Sequence, residues 1–90
     1  MLHTWDFDKN TFLKEHRNIS FERIIIAIEQ GDLIDILEHP DQSKYDGQKL
    51  YVVLIENYCW VISFKDNEDK SIRKLITAFP SRKLTRKYLP

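Results

Sequence analysis

The chain has 90 residues, of which 42% are hydrophobic and 31% charged, with 14 Lys and Arg against 14 Asp and Glu. That length allows one modest core and no second domain, and the balance excludes disordered and fibrous classes. The longest strictly apolar run is five residues, or six if Tyr51 is counted within Leu50–Ile55, against about 20 for a membrane-spanning helix.

The opening Met1-Leu2-His3-Thr4-Trp5-Asp6 lacks the basic-then-apolar order of a signal peptide and reads as a strand or an extended start. The expected location is therefore the cytoplasm. A lone cysteine, Cys59, cannot form an internal disulfide and fits a reducing compartment. Asp8 is placed to cap a first helix over about residues 9–17, with Phe12, Leu13 and His16 on one side. Ser20 marks a second helix. Ile19 can staple onto Ile24, and Phe21, Ile24, Ile25 and Ile28 make a wide apolar stripe. Gly31 stands where a C-terminal cap belongs.

Beyond Gly31 the period changes. Leu33–Glu38 reads as a short strand ended by His39-Pro40, and Asp41–Gly47 as a polar loop with turn chemistry. Leu50–Glu56 and Tyr58–Phe64 are β-rich runs joined at Asn57, the clearest hairpin in the chain. The first is apolar throughout, so an interior strand covered on both faces is expected. A turn over Asp66–Asp69 leads to a strand over Ser71–Phe79, which Pro80 stops. Ser81 can then cap a final helix over Arg82–Leu89. Two N-terminal helices packed on one face of a three- to four-stranded antiparallel sheet, with a short C-terminal helix, make an α+β fold the expectation.

The zero net charge hides a strong division. All 14 acidic residues lie in positions 1–69 beside seven basic ones, giving −7, whereas positions 70–90 hold seven basic residues and no acid, giving +7. A cationic segment on a neutral protein points to an anionic partner: RNA, DNA or an acidic protein. Arg73 and Lys74 fall on opposite faces of the last strand. In the final helix Arg82 and Arg86 are four apart, as are Lys83 and Lys87. Like charges at that spacing cost a few tenths of a kcal/mol. Bound phosphate would neutralise both rows, and Tyr88 could stack on a base. Elsewhere the chemistry is sparse. His3, His16 and His39 are far apart, the single cysteine gives no zinc spacing, and two glycines cannot build a phosphate loop. No metal or other cofactor is expected.

Two stretches resemble a known family. Trp5-Asp6-Phe7-Asp8-Lys9-Asn10 followed by Lys14–Glu22, and the closing Ser81-Arg82-Lys83-Leu84-Thr85-Arg86-Lys87-Tyr88, resemble the two ends of BrnT-type toxins. These belong to the RelE-like superfamily of bacterial type II toxin–antitoxin systems. The matched ends cover about a third of the chain. The sequence departs from the family pattern at Asn18, which stands where Gly is usual, and in one extra residue between His16 and Ile19.

The resemblance implies a RelE-like fold, a metal-independent endoribonuclease that inhibits translation, and two partners, mRNA and a cognate antitoxin in an oligomeric complex. Cleavage through the RNA's own 2′-OH needs a base, an acid and cations for the phosphorane charge. Arg82 suits the last role, since its planar fork binds two phosphate oxygens and stays protonated. Lys83 suits proton transfer if crowding by Arg82, Arg86 and Lys87 lowers its pKa. Tyr88 is a candidate for stacking or proton relay, and His16 is the one imidazole near a family motif. Lys9, Arg73, Lys74, Arg86 and Lys87 complete the expected RNA contacts. An alternative is a module of the same fold that binds RNA or a protein partner without cutting.

Overall fold

A computed structural model describes residues 1–89. In chain order the elements are β1 (Leu2–Trp5), α1 (Phe7–Arg17), α2 (Phe21–Glu29), β2 (Leu33–Glu38), β3 (Lys49–Ile55), β4 (Tyr58–Asp66), β5 (Ile72–Pro80) and α3 (Arg82–Tyr88). The fold is α+β, as expected, but the sheet has five strands in the order β1-β5-β4-β3-β2. The fifth is the extended start. β1 pairs parallel to β5, Leu2 with Ile72 through Trp5 with Leu75, and makes the sheet mixed rather than purely antiparallel.

Local chemistry explains the helix ends. The cap of α1 is Asp6, whose carboxylate accepts from the Asp8 amide, so the helix starts two residues before the position expected from Asp8. At its other end Asn18 adopts φ 53°, a left-handed conformation that glycine and asparagine accept most readily. The departure from Gly at this position therefore keeps the turn. Ser20 caps α2 by accepting from the Arg23 amide. Gly31, at φ 90°, closes α2 through Gly31 N–H to Ile28 and Asp32 N–H to Ala27, the paired bonds of a Schellman turn.

The β3–β4 hairpin turns on Glu56 and Asn57, both with positive φ (51° and 62°), as a two-residue type I′ turn requires. Two bulges re-aim side chains. β2 slips between Leu33 and Asp35, leaving Ile34 without a partner, and β5 slips opposite Ser63 and Phe64, leaving Ile76 unpartnered.

Strand alternation divides the core. On one face Tyr51, Val53, Ile55, Ile62, Phe64, Leu75 and Ala78 pack with Leu13 of α1 and Phe21, Ile24 and Ala27 of α2. Trp5 and Phe21 belong to this core, their rings 5.7 Å apart. The other face carries Val52, Cys59, Val61 and Ser63, all buried. There α3 lies across the sheet, so the three helices do not share one face. β3 is thus interior and buried on both sides, as its unbroken apolar run predicts.

Candidate nucleic-acid interface

α3 has only seven residues, too few to persist alone. The sheet holds it. The Ser81 amide bonds to the Cys59 carbonyl at 2.9 Å and extends the β4–β5 ladder by one step. The Cys59 amide donates to Thr85 Oγ1 at 2.9 Å, and the Thr85 hydroxyl donates to the Ser81 carbonyl at 2.7 Å. Ser81 Oγ caps the helix by accepting from the Leu84 amide. At the far end the Tyr88 hydroxyl donates to Asp35 Oδ2 at 3.1 Å. The β2 bulge makes that contact possible, because it brings Asp35 opposite Val52 and onto the α3 face.

With its inner side docked, α3 turns Arg82, Lys83, Arg86 and Lys87 to solvent. None of the four makes an ion pair among the described residues. Lys87 Nζ lies 5.2 Å from the centre of the Tyr88 ring. Tyr88 itself is committed: its bond to the Asp35 carboxylate raises the phenol pKa, because ionisation would set two anions side by side.

The remaining sequence candidates divide. Lys74 is exposed on the α3 face, directly opposite Lys65 in the β4–β5 register. Lys9, from α1, lines a groove of about 650 Å³ with both lysines at the edge of β5. Lys65 lies outside the acid-free segment and was not among the sequence candidates. Its place is set by the β4–β5 register, which pairs position 65 with position 74.

Arg73 is not a free cation. It points to the opposite face, as alternation requires, and its Nε and Nη2 grip both oxygens of Asp66 at 2.6 and 2.9 Å. Its guanidinium also donates to the Tyr51 hydroxyl at 2.9 Å and lies 4.2 Å from the Phe64 ring centre. Only 16% of its side chain is exposed. The Asp66 bond raises the Arg73 pKa and, reciprocally, lowers that of the Asp66 carboxyl. Arg73 is therefore a structural strut under the helix face. His16 is exposed on α1, its ring 4.6 Å from that of Phe12, and α1 packs on the face opposite α3. The structure accordingly brings Arg82, Lys83, Arg86, Lys87 and Tyr88 together, gathers Lys9 and Lys74 with Lys65, and leaves Arg73 and His16 outside both groups.

Among the described residues no helix is long and apolar enough to cross a membrane. No protein-family model matches the chain, and no curated protein or solved structure matches it either.

Proposed function

We infer that this chain is the toxin of a type II toxin–antitoxin pair, binding single-stranded RNA along α3 and the adjoining sheet face and cutting it through the 2′-OH. The observation that carries the reading is the set of four solvent-facing α3 cations with no ion-pair partner among the described residues. Four like charges on two helical turns oppose helix formation, and an RNA backbone is a ligand that reverses this cost. The resemblance of both chain ends to BrnT-type toxins supports the toxin assignment.

In this reading Arg82 binds two non-bridging oxygens of the scissile phosphate and stabilises the phosphorane. Lys83 carries the proton from the attacking 2′-OH to the departing 5′-oxygen as the P–O5′ bond breaks, leaving a 2′,3′-cyclic phosphate and a 5′-hydroxyl. Tyr88, its hydroxyl held by Asp35, offers a ring face for stacking. An antitoxin with an acidic segment neutralises the protein by covering the same cations. Induction of the chain alone should arrest growth, Arg82→Ala should relieve the arrest, and the purified protein should cut RNA in the presence of a chelator.

A second reading, a non-catalytic RNA-binding module, is favoured by one feature. The Tyr88 hydroxyl is engaged by Asp35 and His16 lies on a helix of the opposite face, so neither of these two proton-transfer candidates is free at α3. Stoichiometric RNA binding without cleavage, together with normal growth on induction, would select that reading over the first.

A further inference from the structure

The groove beside α1 has a composition that folding alone does not favour. Lys65 and Lys74 are directly opposed across β4 and β5, where like charges repel. The β1 neighbour of Lys74 is Thr4, so no acid on that side offsets them. A third lysine, Lys9, lines the same groove from α1, its ammonium resting 4.7 Å from the centre of the Phe12 ring. The one carboxylate in the lining, Asp6, forms no ion pair with these lysines and is used in capping α1.

The floor is of a different kind. It is formed where β1 ends and β5 bulges, and it presents the half-buried, unpartnered Ile76 with Thr77 beside it, over the buried Leu75. A basic rim over an apolar floor fits a ligand with an anionic group joined to a flat, weakly polar body. An acidic peptide satisfies the rim and wastes the floor.

We propose that this groove is a nucleotide-binding site, in which Lys9, Lys65 and Lys74 hold a phosphate while the base lies over Ile76. The inference rests on the RNA-binding reading above and adds to it a separate pocket for one nucleotide unit, either part of a strand or free. The Thr77 hydroxyl is placed to bond to the base or sugar. Binding uses ion pairing and stacking alone and involves no bond cleavage.

The test is titration of the full chain with uridine 3′-monophosphate, inorganic phosphate, a short oligouridylate and a glutamate-rich peptide, repeated on Lys65→Met and Lys74→Met. The mononucleotide should bind more tightly than inorganic phosphate, and each substitution should weaken it about tenfold, the size of one charge-assisted hydrogen bond. Each substitution should also leave the melting temperature unchanged or raised, because it removes a cross-strand repulsion. A lysine kept for structure would lower it.

Tighter binding of the oligouridylate, sensitive to the same substitutions, identifies the ligand as a strand. Equal binding identifies it as a free nucleotide. Mononucleotide affinity that is absent or unaffected by both substitutions overturns the groove even where the oligouridylate binds elsewhere on the protein. Displacement by the glutamate-rich peptide in preference to the mononucleotide overturns it in favour of a protein partner. The function proposed above fails separately, if the wild-type chain binds no oligouridylate at all.

Discussion

His3 shows how a single residue can carry the acid sensitivity of the fold. Its Nε2 lies 2.8 Å from the Tyr51 hydroxyl, which also receives a hydrogen bond from Arg73. The chain of donors runs in one direction, from Arg73 to Tyr51 to a neutral imidazole. A protonated His3 would leave the Tyr51 oxygen facing two donors and its own proton without an acceptor. Burial, and then the nearby Arg73 charge, accordingly lower the His3 pKa from its usual 6.5. The unfolded chain therefore takes up this proton at a higher pH than the folded one. Stability is fully present above about pH 6.5 and falls as the pH drops from there through the lowered pKa. Urea denaturation from pH 7.5 to 5 should show the midpoint declining over that window, and His3→Gln should flatten the decline. An equal slope in wild type and variant would remove His3 from the account.

At the scale of elements, α3 is the informative case. Its sequence is poor in apolar residues, and backbone bonds to β4 replace the packing that usually holds a helix. Thr85→Val keeps the side-chain volume but leaves the Cys59 amide without its acceptor. The expected cost is about 1–3 kcal/mol in urea denaturation, with weaker RNA binding because the cations ride on the same helix. Thr85→Ser should restore most of both.

The same scale shows what patterning could reveal. The caps at Ser20 and Gly31, the hairpin at Asn57 and the unbroken β3 run were all readable, because each is set by neighbours in sequence. β1 was legible as a strand or extended start, but without a partner. Its pairing with β5 joins residues some 70 positions apart, and four residues of alternating exposure do not specify a partner. The bulges at Ile34 and Ile76 were also hidden, since one extra residue in a strand leaves no mark on composition.

On the whole molecule, the +7 segment does not fold into one +7 surface. Arg73 is neutralised by Asp66, while Lys9 and Lys65 from the acidic part of the chain join Lys74. The remaining cations of these groups thus form two patches, one on α3 and one at the β5 edge. If four of these cations contact RNA phosphates, the logarithm of the affinity should fall against the logarithm of salt with a slope near −3, from roughly −0.7 per contact. Filter binding between 50 and 300 mM salt checks this, and a slope near zero would exclude phosphate contacts as the source of affinity.

The sequence by itself determined the fold class, the order of helices and strands, the double burial of β3 and the cationic last helix, because periodicity, caps and local charge are written along the chain. Tertiary structure decided which cations are available to a ligand. Alternation turned Arg73 toward Asp66, the β4–β5 register set Lys65 against Lys74, and the β2 bulge gave Tyr88 to Asp35. A charge count is a property of the chain, but the field a ligand meets depends on which charges already have partners in space.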